Sequence, residues 1–406
     1  MICRICRNEA IKVFLSLGKS PLANSFLSKE ELENKENTYP LELAFCDNCK
    51  LVQLTYVVPP ELMFKNYIYV SSTSNTFKIH FSKMARDICN CFNLNNGSLV
   101  VDIGSNDGLL LKNFQKLGIQ TMGIEPAANL VKIAEQDGIE TINGFFNNDA
   151  VKRVIGKKGH ADVVTANNVF AHIDDIDNVT DNVKTLLKED GIFVIEVQYL
   201  VDTMEKMTFD NVYHEHLSYY TLTSLSYFFK KHRMEIFDVQ RVDSHGGSLR
   251  VFIKKSEGNH EIHKEVEETL EYEKGIGIND IEIYKNFSNK VYHVKERLVS
   301  YIRDIKAQKK SIAGYGAPAK STTLLNFCNI GRDFIDYIVD DNPLKIGLYS
   351  PGTHIPVVSS SMLEKKRPDY ILILAWNFAE EILKKTGKYA DQGVKFIIPL
   401  PEPKIA

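Results

Sequence analysis

The chain has 406 residues, with 49 basic and 52 acidic side chains for a net charge of −3, and it is 44% hydrophobic and 25% charged. That is soluble globular composition, and at about 100–200 residues per domain it spans two to four domains, which excludes a disordered chain or a small stapled scaffold. The near-neutral balance argues against a nucleic-acid binder working through a global positive field. No apolar run reaches the roughly 18 residues of a membrane span, and Met1-Ile-Cys-Arg-Ile-Cys6 lacks the apolar stretch of a secretory signal, so a cytoplasmic protein without membrane contact is expected.

Residues 1–65 read as a cysteine module with a loop-rich remainder ending at Val58-Pro59-Pro60. Cys3-x-x-Cys6 and Cys46-x-x-Cys49 each present two thiolates on one turn, and two such turns complete a tetrahedron around Zn²⁺. A redox C-x-x-C would sit in a βαβ pattern, and none precedes Cys3. Four sulfur ligands leave no open position, so the metal is expected to be structural. Cys89, Cys91 and Cys328 read as small buried hydrophobes.

Phe77–Phe92 has helical periodicity. Ser98-Leu-Val-Val-Asp-Ile-Gly104 is a short apolar run closed by glycine, the pattern of a buried parallel strand. Strands are expected at Thr121–Ile124, Val163–Ala166 and Ile192–Val197, with helices after Asp107 and Pro126. This is a doubly wound α/β region. Residues 259–310 read as two amphipathic helices with a solvated charged face. A second, smaller α/β unit begins at Ser311-Ile-Ala-Gly-Tyr-Gly-Ala317, with strands at Tyr337–Asp340, Tyr370–Ala375 and Lys395–Ile398. The expected division is 1–65, 66–258, 259–310 and 311–406.

The turn after the first central strand is Asp102-Ile-Gly104-Ser-Asn106-Asp107-Gly108. Gly104 lets the turn close without a Cβ and Gly108 lets the following helix approach a ligand. The spacing is not the G-x-G-x-x-G of dinucleotide sites, and Asp102, Asn106 and Asp107 would repel a pyrophosphate while suiting an ammonium group. Glu125 ends the next strand, 23 residues on, placed to accept ribose hydroxyls; Asn167 and Asn168 end a third. Together these look like the S-adenosylmethionine site of a class I methyltransferase with a Rossmann-like fold.

Three polar clusters accompany this site. Asp210-Asn-Val-Tyr213-His214-Glu215-His216-Leu-Ser-Tyr219-Tyr220 follows the fourth central strand, where an α/β sheet presents its ligand face. Histidine exchanges protons near neutral pH, and an adjacent carboxylate can orient it. Read as extended chain, His214 and His216 share one face and Glu215 the other. Asn66-Tyr67-Ile-Tyr69-Val-Ser71 directly precedes the cofactor region. Ser244-His-Gly246-Gly247-Ser248-Leu-Arg250 offers close backbone approach and a guanidinium for a phosphate, or else a glycine bulge opening a strand.

These blocks, with Gly314-Tyr-Gly316-Ala-Pro-Ala-Lys320-Ser321-Thr-Thr-Leu-Leu-Asn326, occur in an order that resembles the sugar C-methyltransferases that make branched deoxysugars. The resemblance covers nearly the whole chain. It implies methylation at C3 of a nucleotide-linked 4-keto-6-deoxyhexose, carried on dTDP or GDP, by an enzyme that is a monomer or homodimer. It places functional positions on Tyr67, His172, Tyr213, Glu215 and His216. His216 is the expected base, with Glu215 orienting it or acting in its place. Tyr213 or His172 would serve the C4 oxyanion, and Tyr67 the sugar. Tyr69, Ser71, His214, Gly247, Ser248, Arg250, Gly314, Gly316, Lys320 and Ser321 are expected on the substrate side, where the first turn of a helix at Ser321-Thr-Thr323 suits a pyrophosphate. Asp340-Asp341-Asn342-Pro343 reads either as a base or ribose contact or as a polar turn. The alternatives are an O- or N-methyltransferase of a nucleotide sugar, which needs no carbon-acid base, and a non-catalytic nucleotide-sugar-binding protein.

Overall fold

The computed structural model describes residues 1–64, 70–73, 75–244 and 246–405. Tyr67 and Tyr69 lie outside the described residues. The N-terminal segment is more ordered than its loop-rich reading suggested. Strands β1 (Ile11–Ser20), β2 (Tyr39–Cys46) and β3 (Val52–Leu54) form an antiparallel sheet, with Ile11 opposite Cys46 and Leu43 opposite Leu54. Two register shifts in β1 and a proline in the second position of β2 break the alternation that would announce the strands in sequence.

The central sheet begins with β4 (Leu99–Ile103), buried along its whole length, as a parallel strand covered on both faces must be. It continues through β5 (Gln120–Glu125), β6 (Thr141–Asn143), β7 (Ala161–Asn167) and β8 (Leu187–Gln198). The short β9 (Ser218–Tyr219) then leaves to pair with β3, Tyr219 opposite Val52. The chain returns in β10 (Met234–Val242) and β11 (Ser248–Lys255). The sheet order is β10-β11-β8-β7-β4-β5-β6, with β11 antiparallel to both its neighbours and every other pairing parallel. Helix Asn75–Cys91 covers one face through Phe81, Met84, Ala85 and Ile88, spaced i, i+3, i+4 and i+7. Its two cysteines face outward from that stripe, so Cys89 is half-buried and Cys91 exposed, against the expectation of two core thiols; Cys328 is buried as expected.

The stretch expected as linking helices contains Lys264–Gly275 and Ile281–Ala307. The longer helix does more than bridge. It buries Tyr284 against Phe14 and Phe45, at ring separations of 5.1 and 4.8 Å, and so docks on the N-terminal sheet. The C-terminal sheet comprises β12 (Ile312–Tyr315), β13 (Ile338–Val339), β14 (Val357–Val358), β15 (Tyr370–Ile373), β16 (Lys395–Ile398) and β17 (Lys404–Ile405). Its order is β14-β13-β12-β15-β16-β17, parallel except for β17. Among the described residues no helix is long and apolar enough to cross a membrane.

Candidate active site

In an open α/β sheet, ligands bind beyond the carboxyl ends of the strands where the strand order reverses. The central sheet reverses between β4 and β7, and the C-terminal sheet at β12. Both reversals open on one cavity of about 1200 Å³. Gly104, Glu125, Asn167 and Asn168 line it from the first sheet, and Gly316, Asp340 and Trp376 from the second. Single-ligand pockets are about 300–1000 Å³, so this space admits a cofactor together with a substrate.

On the central side the geometry separates wall from support. Gly104 has φ +65°, and a Cβ there would stand 2.5 Å from Val169. Glu125 accepts the Asn106 and Ala127 amides at 2.9 and 2.8 Å, while burial raises its carboxyl above the ordinary value. Asn106 and Asp107 in turn accept the Ser71 and Ser72 amides at 2.9 Å, stapling the segment before helix Asn75–Cys91 onto the glycine turn. Ser71 thus lies at the cavity wall. Asn167 presents a buried Oδ1 with no hydrogen-bond partner among the described residues. Asn168, at φ +55°, donates its amide to the Glu196 carbonyl. Asp102 stands behind the wall: it accepts from Thr165 at 2.6 Å, and burial pushes its carboxyl up to about 7. A Cβ on Gly108 would stand 2.9 Å from Ile139, so the missing side chain there serves helix packing instead of ligand approach.

The candidate reacting centre assembles from two places in the chain, His172 and the Tyr213–His216 turn. The rings of Tyr213 and His172 stand 4.1 and 5.0 Å from that of His216, and all three line the cavity. His216 Nδ1 lies 2.7 Å from the Asn211 carbonyl. A carbonyl only accepts, so Nδ1 carries the proton, and in the neutral ring Nε2 holds the lone pair. The segment is a turn and not the extended chain expected, closed by the His216 amide on the Tyr213 carbonyl at 2.9 Å. The turn sends the two histidines apart. His214 is buried against the N-terminal module, 3.3 and 3.2 Å from the Tyr39 and Pro40 carbonyls, and burial lowers its pKa. Glu215 accepts from Asn24 at 2.6 Å.

Several residues expected at the substrate make their observed contacts within the fold. Arg250 turns inward and sets Nε and Nη2 on Glu196 Oε2, at 3.1 and 2.9 Å. Glu196 also receives Ser244 at 2.7 Å and His80 at 2.8 Å. Burial alone would raise its carboxyl; His80, Arg250 and Ser244 overcome that and hold it at about 2. Ser248 donates to the Ser244 carbonyl at 3.1 Å. Gly247 makes room for Asp202, whose carboxyl carbon would lie 2.3 Å from a Cβ at that position. Gly314 faces Leu374 and Ile338 within its sheet. Ser321 donates to the Pro318 carbonyl. Gly316 and Lys320 do line the cavity. Sequence reading missed His80, Glu196, Asn24 and Trp376, which no local motif marks.

Away from the cavity, the four cysteine sulfurs converge within 4.8 Å of one another, with Cys3–Cys49 at 3.3 Å and Cys6–Cys46 at 3.5 Å. Zinc–sulfur bonds of about 2.3 Å give tetrahedral edges of about 3.8 Å, so the set fits the metal. Each pair closes the same way: Arg7 and Lys50, both at positive φ, donate their amides to the Cys3 and Cys46 carbonyls.

Residues 3–64 match a family described as "Putative zinc binding domain", residues 78–235 a methyltransferase domain, and residues 243–401 a C-methyltransferase C-terminal domain. The sequence is 36% identical to the C-methyltransferase NovU of Streptomyces niveus over 404 residues, 99% of this chain and 96% of that protein. A ubiquinone biosynthesis O-methyltransferase of Rhodopseudomonas palustris is 28% identical over 99 residues, 24% of this chain and 39% of that protein. A solved S-adenosylmethionine-dependent methyltransferase from Clostridium acetobutylicum, at 14% identity, covers 44% of this chain and 91% of its own, with a TM-score of 0.35.

Proposed function

The chain belongs to the C-methyltransferase family, and from that premise we propose that it methylates C3 of a nucleotide-linked 4-keto-6-deoxyhexose through an enolate. The observation that carries the proposal is the His216 imidazole, with its Nδ1 proton on the Asn211 carbonyl and its ring against Tyr213 and His172 in a cavity wide enough for two ligands. The C3 proton of such a sugar is acidic because it lies beside the C4 ketone. His216 Nε2 takes that proton, and the electron pair spreads onto the C4 oxygen. Tyr213 or His172 donates to the developing oxyanion. Glu215, held by Asn24, stands next in the chain as the alternative base. Bound S-adenosylmethionine would supply the electrophilic methyl group to the enolate carbon, its methyl–sulfur bond breaking to leave the neutral thioether of S-adenosylhomocysteine. Gly104, Asn106, Glu125, Asn167 and Asn168 would hold the cofactor; Gly316 and Lys320 would hold the nucleotide sugar from the opposite sheet.

In this reading residues 1–65 are the zinc-binding module, 66–258 the cofactor domain, 259–310 a helical connection and 311–406 the nucleotide-sugar-binding domain. Transfer to oxygen or nitrogen would leave a tautomer-fixed imidazole without a carbon acid to deprotonate. The test is His216→Asn. Methyl transfer to a 4-keto-6-deoxy nucleotide sugar is abolished while S-adenosylmethionine affinity by calorimetry stays nearly unchanged. Full activity in that variant would remove His216 as the base.

A further inference from the structure

We propose that Trp376 and Asp210 are positioning residues for His216: through them the C-terminal sheet holds the backbone carbonyl that fixes the tautomer of the base. The inference rests on the reading of His216 as the base. The segment carrying that carbonyl is short. Asn211 ends a three-residue 3-10 turn, Phe209–Asn211, closed by the Asn211 and Val212 amides on the Thr208 and Phe209 carbonyls, and besides His216 its own carbonyl takes only the long Tyr219 hydroxyl bond at 3.5 Å among the described residues.

The tethers come from the C-terminal unit. Trp376, just beyond β15, donates its indole N–H to Asp210 Oδ2 at 2.6 Å. Helix Ala319–Cys328 adds two more. Thr323 Oγ1 donates to the Val212 carbonyl at 2.9 Å, and the Phe327 ring meets Phe209 edge-on at 5.7 Å. Lys320, Thr323 and Phe327 are spaced i, i+3 and i+7, one face of that helix. Lys320 completes the cluster, with Nζ 5.8 Å over the Trp376 ring and its charge acting on Asp210. Asp210 itself is fully buried, and its Oδ1 has no hydrogen-bond partner among the described residues, so the indole bond is the one that satisfies this carboxyl. From the indole to the imidazole the path is one hydrogen bond, one residue of backbone and a second hydrogen bond.

Without the indole donor the turn keeps Thr323 and Phe327 but loses the bond on Asp210, the residue next to Asn211, and the Asn211 carbonyl shifts away from Nδ1. The ring then populates the Nε2–H tautomer, whose lone pair is on Nδ1, the nitrogen that faces Asn211. A neutral imidazole in that form cannot accept a proton at Nε2.

The test uses the full chain labelled with ¹⁵N-histidine, in long-range ¹H–¹⁵N spectra, with His216 assigned by its absence in His216→Asn. In the wild type His216 shows the Nδ1–H pattern. In Trp376→Phe the two ring nitrogen shifts move toward each other, and kcat for methyl transfer falls about ten- to hundredfold with the KM for S-adenosylmethionine unchanged. Asp210→Asn, whose amide oxygen still accepts from the indole, keeps the wild-type pattern; Asp210→Ala loses it. Wild-type shifts in Trp376→Phe overturn the proposal, and so does a shifted ring with unchanged kcat. The ring readout needs no sugar, so a wild-type protein that fails to methylate the sugar would count against the proposed substrate while the tautomer result still decides the positioning role.

Discussion

Gly104 shows how much of the site depends on a single missing atom. Its φ of +65° and the 2.5 Å approach to Val169 leave no room for a side chain at the mouth of the cofactor half. Gly104→Ala is therefore expected to lose about 1–3 kcal/mol of stability and to weaken S-adenosylmethionine binding, both measurable by thermal unfolding and calorimetry. An alanine variant with unchanged stability and affinity would count against this role. At the same scale, Glu125 and Asn167 were legible in the sequence because a strand end fixes where the next side chain goes. His214, expected on the substrate side, is buried against the N-terminal module instead, because alternation holds only in extended chain and Tyr213–His216 is a turn.

Elements meet at Glu196, near the carboxyl end of β8. Helix Asn75–Cys91 reaches it through His80, and β11 through Arg250. Its carboxyl is held below its unfolded value of 4.5, at about 2, so it stabilises the fold above pH 4.5 and loses that contribution as pH falls toward 2. The shift corresponds to about 3 kcal/mol. Chemical unfolding of Glu196→Gln across pH 7 to 3 should show a shallower loss of stability in acid than the wild type; parallel curves would refute it. This junction was invisible in the sequence. Glu196 and His80 are 116 residues apart, Trp376 and Asp210 166, and Asn24 and Glu215 191, and no local spacing encodes contacts of that range. The element types themselves were readable, since buried parallel strands are continuous apolar runs and the long helix carries a regular apolar stripe.

Across the whole molecule, the parts depend on one another more than a row of modules would. The cysteine cluster joins the segment before β1 to the turn between β2 and β3, β3 pairs with β9, and β9 begins two residues after His216. One zinc per chain is expected by metal analysis, and stripping it with a chelator should lower the unfolding temperature and reduce methyl transfer together. A metal-free protein of full stability would break the link. The cysteine spacing was plain in the sequence; its reach to the Tyr213–His216 turn was not, because it passes through a two-residue strand that no periodicity reveals.

Carbon-acid chemistry leaves a signature that methyl transfer alone does not, the exchange of the C3 proton with solvent. The protein is incubated with a 4-keto-6-deoxy nucleotide sugar and S-adenosylhomocysteine in deuterated water, and the C3 proton is followed by NMR. Exchange at C3 is expected with the wild type and none with His216→Asn. A C3 proton that stays in place with the wild type, or that exchanges equally with the variant, would refute His216-driven enolate formation.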